Sequence, residues 1–557
     1  MAGTITHASW GSTACENDRV SVLKTCVFGA VAIATVACVG AGIVLGNGYV
    51  VVGGLFWSAI VLTIGALRPG SFLNSVSMGE LTTPLKAVIG VVLVIEIAAC
   101  ALPMGLAPFW NGDVPAHRNQ YELLAESFLD GKLYIDYDDV DDRLAEMDNP
   151  YDPQAREQQH VKIHRDHAYY DGKYYVYFGV VPVLLVFLPF RLLTGASLAT
   201  FHATQLFAAL AICGVFALFY TLARHRFRRM PFGVYLALTT CFSLIAVWYS
   251  AATPALYCTA TTAGLAFMVW SLFFYARAFL VEKTFARQLV CAFFGALCGA
   301  LVFGCRPPIA IANLVAIPLF VQFLRANSLS RRQKALLSCA ALPYVVVAAG
   351  LMAYNYARFG SCFEFGQAYQ LTVADQHLYG FSLERVDLAN GVPALFDALF
   401  AWSAPSGDFP FAAFGGAFAN FPILLIAFGL FVPKVFRRLR DGGLAYMCCA
   451  ALAVVIITVA ADLFFSPYYI QRYNMDIYYL LGIVAFMVIG AWIEGADSNS
   501  AGRLPRAKSI ACWSLCILAA ASCVACAAFF LTPFDHNAAA DVPKLVEAAR
   551  HVVFFWE

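Results

Sequence analysis

Charge is scarce in this chain. Asp, Glu, Lys and Arg make up 13% of its 557 residues, about half of the roughly 25% usual in a soluble domain. Hydrophobic residues make up 61% and the mean hydropathy is +0.71, which excludes a soluble globular enzyme and implies a polytopic membrane protein. Neither sign of charge is in excess. A net charge of +1 excludes a basic nucleic-acid surface, and in a membrane protein the sum matters less than how the charge divides between the two sides. A short apolar leader with a small-residue cleavage site is missing, so the first apolar segment, which is long enough to span, is expected to be retained. A Gly-rich phosphate loop and a Ser-His-Asp order are missing too, which leaves ATP-driven transport and serine hydrolysis without a motif. Eighteen cysteines are present, but nearly all lie inside apolar runs as small packing residues, and Cys362 stands alone outside them, so no disulfide framework is expected.

What the chain does have is long apolar runs. Requiring roughly 17 to 25 mostly apolar residues predicts thirteen spans, at 22–46, 48–66, 87–108, 199–222, 233–250, 254–280, 288–305, 307–325, 335–355, 412–434, 443–465, 476–494 and 509–532. The expected fold class is therefore an all-α polytopic membrane protein. Basic loops test the count: Arg224 to Arg229, Lys283 and Arg287, Arg325 to Lys334, Lys434 to Arg440, and Arg503 to Lys508 all fall on one side, which the positive-inside rule assigns to the cytoplasm. The agreement requires the segment 180–193, interrupted by Pro182 and Pro189, to lie at the interface rather than to span. The N-terminus is then expected to be cytoplasmic, with a long polar loop (109–179), a second loop (356–410) and an amphipathic tail (541–557) on the outer face of the cell membrane. Residues 1–86 read as an N-terminal addition holding two spans, and 87–540 as the core.

The polar loop concentrates the chemistry. Between Trp110 and Gly179 lie 15 Asp and Glu residues and four of the ten histidines. Residues 119–133 place Tyr121, Leu124, Ala125, Phe128 and Leu129 at helical spacing, closed by Gly131, which predicts an amphipathic surface helix. The run from Asp136 to Asp148 lacks the glycine of a calcium loop and reads as a solvated acidic face, with a divalent metal as the weaker alternative. Asp171-Gly172 is a tight-turn signal between two aromatic arms. A lipid-phosphate sugar transfer needs a carboxylate to take the acceptor proton and cations for the leaving phosphate. Asp113 and Asp166 are the candidate bases, each with an ordinary loop ion pair as its alternative. Arg472, Arg306 and Arg358 are the candidate phosphate contacts, each with a headgroup anchor as its alternative. His117, Arg118, Tyr121, His164, Arg165, His167, Lys173 and Tyr175 complete the expected substrate-binding set. His164 and His167 form only a weak metal pair, and no cofactor is expected.

The order of features resembles a known family. An apolar span is followed by an acidic loop, a helix carrying Tyr121, Ala125 and Gly131, the Phe178-Gly-Val-Val-Pro182 segment and a span ending in Ala223-Arg-His-Arg226. Together these resemble the C-type glycosyltransferases, most of all the family 39 group of protein mannosyltransferases and aminoarabinose transferases, over roughly residues 85 to 540. Stretches like 168–179 and 355–361 are also similar to those of uncharacterised bacterial membrane proteins. The resemblance implies a polyprenyl-phosphate-linked sugar donor, a glycan, lipid or protein acceptor, a carboxylate base in the first outer loop, and inversion. Where that family places its carboxylate before the tyrosine, this chain has His117; Asp113 is the nearest acid and Asp166 its rival. Two other classes compete. A lipid or sugar transporter would hold ionisable groups near the midplane of its spans, and an envelope-assembly protein would use the loop as a docking surface.

Overall fold

A computed structural model of the chain describes residues 33–112, 119–379, 387–466, 469–495 and 505–557, apart from 39, 42 and 45. In chain order its helices begin with α1 (Gly48–Ala66), α2 (Thr83–Met104) and a short α3 (Gln120–Leu129), and a hairpin of β1 (Ala168–Tyr170) and β2 (Lys173–Tyr175) follows. Then come α4 (Val183–Thr194), α5 (Thr200–His225), α6 (Phe232–Ala252), α7 (Leu256–Val281), α8 (Phe285–Phe303), α9 (Pro307–Ala326), α10 (Arg331–Phe359) and α11 (Leu388–Phe400). The chain ends with α12 (Pro422–Phe431, a 3₁₀ helix), α13 (Ala445–Phe464), α14 (Gln471–Glu494), α15 (Arg506–Leu531) and α16 (Pro543–Val553). Eleven of the described helices are long and apolar enough to cross a membrane: α1, α2, α5 to α10 and α13 to α15. The expected all-α polytopic class therefore holds.

Two of the thirteen expected spans differ. The one at 22–46 lies largely outside the described residues. The one at 412–434 is not a continuous helix: it is a turn of α-helix at Ala417–Asn420, then α12, then Pro433–Asp441. Pro422 and Pro433 each remove a backbone donor and start a new segment. The 3₁₀ rise of about 2.0 Å per residue, against 1.5 Å in an α-helix, stretches the run. It travels beside α14 in the same direction, since Asn420 Nδ2 donates to Tyr478 Oη at 3.2 Å and Arg438 Nη2 donates to Gly495 O at 2.8 Å.

α14 is the axis of the bundle. It is apolar on every face and buried along nearly its whole length, as expected of a helix enclosed by others rather than by lipid. Its direction separates the two ends of the molecule. At its C-terminal end Glu494 accepts from Arg229 N at 2.9 Å, Lys508 Nζ donates to Trp492 O at 3.2 Å, and Arg226 Nη2 donates to Leu280 O at 3.2 Å. These are the basic loops grouped by charge alone in the sequence. At its N-terminal end stands the polar loop.

Segment 180–193 forms the short apolar helix α4. α4 is too short to cross, at roughly 18 Å for its twelve residues, and Gly195 closes it with φ 71°. α3 is the clamp that holds the polar loop to the bundle. Its apolar face buries Tyr121, Leu124 and Ala125, while Leu129 is exposed. Glu122 Oε1 accepts from Thr200 N at 2.8 Å and from Thr200 Oγ1 at 3.0 Å, capping the start of α5. Burial raises the Glu122 carboxyl above its ordinary range. The second loop contains the apolar helix α11. The tail forms α16, which lies on α1 through a hydrogen bond of 2.8 Å from Trp57 Nε1 to Val553 O.

Candidate active site

Asp166 is positioned by its backbone before its side chain enters the argument. It sits at φ 60°, a left-handed conformation that Asp tolerates better than most residues. Its N–H donates to Leu371 O at 2.9 Å and its carbonyl accepts from Gln120 Nε2 at 2.8 Å. The hairpin then starts two residues later. Asp171 at φ 48° and Gly172 at φ 70° make the two-residue turn with positive φ at both positions that a tight hairpin requires. On the other edge of β1, Tyr169 N donates to Tyr369 O at 2.9 Å and Leu371 N donates to His167 O at 2.8 Å, so the second loop is stitched to the first. Arg156, buried, donates to Pro150 O and Thr372 O at 2.6 Å each and adds a further tie.

The exit from the hairpin joins the bundle at Gly179. A side chain there would meet Gly304 O at 2.3 Å and Cys305 O at 2.4 Å, so only glycine lets the strand pass against the turn between α8 and α9. Tyr121 Oη donates to Gly179 O at 2.8 Å and Val181 N donates to Gly304 O at 2.8 Å. Arg306, which follows that turn, is thereby placed beside Tyr177 and Phe178.

These elements enclose a polar cavity of about 470 Å³ lined by Asp166, Tyr177, Tyr257, Arg306, Arg472 and Tyr473, with further walls from Arg165, Thr372, Asp535 and His536. Both carboxylate oxygens of Asp166 accept: Oδ2 from the hydroxyl of Tyr257 and Oδ1 from Thr372 Oγ1 at 3.0 Å. A carboxylate has about four lone-pair sites, so lone pairs remain for a third partner. Arg472 lies over the ring of the same Tyr257, 4.2 Å from its centroid, and over Tyr473 at 5.7 Å. Its Nε is buried with no hydrogen-bond partner among the described residues. Desolvation, reinforced by the negative charge of Asp166, raises the Tyr177 phenol above its ordinary range.

Arg306 is differently engaged. Its Nε reaches both oxygens of Asp476 at 2.9 Å, its Nη2 reaches Oδ2 at 2.7 Å, and Asp476 is wholly buried. It lines the cavity as half of an ion pair. Asp462, near the end of α13, has Oδ2 buried without a partner.

The other expected site residues fall elsewhere. Asp113, His117 and Arg118 lie outside the described residues. Arg358 does not line the cavity: its Nη1 donates to Val176 O at 2.7 Å, its Nη2 to Asn355 Oδ1 at 2.8 Å, and its guanidinium stacks 3.9 Å from the Tyr354 ring. It anchors the strand leaving β2, because a guanidinium buried among aromatic rings is satisfied by the nearest carbonyls. His167 is fully buried, its Nδ1 3.0 Å from Arg165 O and its Nε2 2.9 Å from Tyr137 Oη. His164 stacks on Tyr137 at 3.6 Å and reaches Asp139 Oδ1 at 2.9 Å, and burial holds its imidazole pKa below the ordinary value. These two histidines belong to the aromatic core of the loop together with Tyr174, whose phenol burial pushes up to about 12. Tyr121 is a clamp residue, Tyr175 packs on Phe359, and Lys173 lies 4.9 Å from the Tyr134 ring at the surface. No group of three His, Cys, Asp or Glu residues able to hold a metal ion occurs among the described residues.

Sequence reasoning missed Tyr257, Thr372, Asp476, Asp462 and His536. Asp462 and Asp476 carried a signal, since a carboxylate inside an apolar span is a functional hypothesis by default. Tyr257 and Thr372 carried none, because only the fold brings them to Asp166.

No family model matches the chain, and no curated protein does. Among solved structures it is similar to two crystal structures of ArnT from Cupriavidus metallidurans, one in the apo state and one bound to undecaprenyl phosphate. Each match has 13% identity and a TM-score of 0.39, and covers 73% of this chain and 60% of the other. The chain thus spans 60% of the length of those structures, and a likeness of this degree assigns no activity.

Proposed function

We propose that this chain is a membrane glycosyltransferase of the C-type, moving a sugar from a polyprenyl-phosphate donor to an acceptor hydroxyl on the outer face of the cell membrane. One observation carries the reading: a single tyrosine, Tyr257, donates its hydroxyl to Asp166 and offers its ring to Arg472. A carboxylate and a cation with an orphaned N–H are thereby fixed against each other in one cavity at the end of the bundle.

Asp166 takes the proton from the acceptor hydroxyl as it attacks the anomeric carbon, and the reaction inverts the configuration there. Arg472 stabilises the charge that grows on the departing phosphate, where a desolvated guanidinium acts most strongly. Arg306, held by Asp476, supplies a fixed positive edge that needs no reorganisation. The lipid tail of the donor fits an apolar groove of about 530 Å³ lined by Phe128, Val181, Leu184, Leu188, Leu301 and Leu351. Val181 of that groove lies three residues after Phe178, which lines the polar cavity, so one short segment runs from the head site to the tail site. A transporter would use carboxylates at the midplane of its spans; Asp462 and Asp476 lie near the ends of α13 and α14 that meet the cavity, and Glu96, buried within α2, is bound by Ser243 and does not line the cavity. The membrane orientation follows from the basic loops clustered at the far end.

The test is turnover. Purified protein incubated with labelled polyprenyl-phosphate sugars and an acceptor releases the lipid phosphate, and Asp166→Asn, which keeps the shape of the side chain, lowers the rate about 100-fold or more. If Asp166→Asn retains full turnover while Asp113→Asn is dead, the base is Asp113.

A further inference from the structure

Three glutamines on the second loop face the same cavity. Gln367, Gln370 and Gln376 all line it, and their side chains form a ladder: Gln370 Nε2 donates to Gln367 Oε1 at 2.6 Å and Gln367 Nε2 donates to Gln376 Oε1 at 3.3 Å. Gln370 is 4% exposed and Gln376 is 7% exposed. The ladder leaves one carbonyl, Gln370 Oε1, and one amide group, Gln376 Nε2, without a partner among the described residues. Both free ends open onto the cavity, and linked amides polarise one another, so they are a better acceptor and a better donor than isolated amides. Asp166 is tied to the same segment through Thr372, four residues before Gln376. The rings of Tyr177, Phe178 and Tyr257 supply flat apolar walls nearby.

Building on the glycosyl-transfer reading, we propose that this ladder is the subsite for the donor's sugar ring, and that the ring is a neutral sugar with free hydroxyls rather than one bearing a carboxylate. A hydroxyl both donates and accepts, so neighbouring hydroxyls satisfy a carbonyl at one end and an amide at the other. A ring carboxylate would satisfy only the amide end. It would also face the carbonyl of Gln370 and the carboxylates of Asp166 and Asp535 in one cavity, with Arg472 already occupied by the phosphate. Arg165, exposed at the rim, is the remaining cation.

The experiment compares three ligands on the full-length protein in detergent, by calorimetric titration: a polyprenyl phosphate, the same lipid carrying a neutral hexose, and the same lipid carrying a hexuronic acid. The neutral hexose tightens binding over the bare lipid about 10-fold or more, and the uronate does not. Gln376→Glu keeps the shape and the bond from Gln367 but replaces the free donor with an anionic oxygen, and it abolishes the gain from the hexose. Because the readout is the ratio of glycosylated to bare lipid, a general effect of the new charge on phosphate binding cancels. Gln370→Leu removes the other free end and reduces the same ratio. If the bare lipid binds but the hexose adds nothing, or the uronate adds as much, or the gain survives in Gln376→Glu, the subsite assignment is wrong while the wider reading stands. If none of the three ligands binds, both fail.

Discussion

Two regions of this molecule use the same residue types to opposite ends. In the acidic run, Asp139 meets Lys162 at 2.5 Å and Asp136 meets Lys132 at 2.5 Å on an exposed face, and Asp141, half-buried, meets Arg143 at 2.6 Å. In the cavity, Asp166, Asp476, Arg306 and Arg472 are packed among tyrosines. Water screens the first set, and pairs of that kind contribute little. The second set is held away from water, where a cation without a full complement of partners is an unspent interaction. Density of charge in the sequence therefore points away from the chemistry. The acidic run is where the loop meets solvent, and the site is where few charges are enclosed.

That contrast is broken most severely at Arg306. Removing it in Arg306→Ala leaves Asp476 buried and unpaired, and should cost about 3 to 5 kcal/mol of stability, read as a loss of thermal or denaturant resistance in detergent. The double variant Arg306→Ala with Asp476→Ala should recover much of it. Lys132→Ala, which breaks the exposed pair with Asp136, should leave unfolding nearly unchanged. Equal losses at Arg306 and Lys132 would erase the distinction between the regions.

Arg472 comes next. Its guanidinium has no carboxylate partner among the described residues, so Arg472→Ala should weaken use of the lipid-phosphate donor by about 2 to 4 kcal/mol with less effect on folding than Arg306→Ala. Donor kcat/KM is the measurement, and an unchanged value would return Arg472 to a headgroup anchor. Tyr257→Phe dissects the bridge between base and cation: the ring under Arg472 stays and the hydroxyl on Asp166 goes. Turnover should fall about 10-fold, the worth of one hydrogen bond, with the donor KM retained. Tyr257→Ala should affect both.

pH probes the loop itself. The folded state holds the His164 pKa below its unfolded value of about 6.5, so it favours the neutral ring. Stability from this residue is complete above that pH and is lost as pH falls through it. Asp139 opposes the effect and Lys162 adds to it. Corrected for the intrinsic pH dependence of amide exchange, protection across 134–176 should fall from pH 7.5 to pH 5.5, and His164→Phe should remove that fall. Smallest of all is Asp139→Asn, whose turnover should stay within about twofold of the parent. A dead Asp139→Asn would move the chemistry to the acidic run and invert the comparison.

Much of this architecture was legible beforehand. Apolar length alone located the eleven spans among the described residues, because a bilayer imposes one length on every crossing helix. The Asp171-Gly172 turn, the helical spacing of α3 and the short α4 were readable from local patterns for a similar reason: each depends on residues close in sequence. The break at 412–434 was not readable, since composition reports apolarity and says little about which helix type Pro422 and Pro433 will enforce.

The sequence by itself determined that this chain lies in a membrane, that its basic loops group by charge and that one polar loop holds 15 of its 35 acidic residues. It also contained Asp166 and Arg472 as residues able to do acid–base and phosphate chemistry. Only the tertiary structure decided that these two meet on Tyr257, that Arg358 and His167 are spent on packing, and that Thr372 and three glutamines from a distant loop close the cavity. The physical reason is range. Burial patterns and turn preferences act over a few residues and leave periodic traces, whereas a site assembled from segments some 300 residues apart, as Asp166 and Arg472 are, leaves none until the chain has packed.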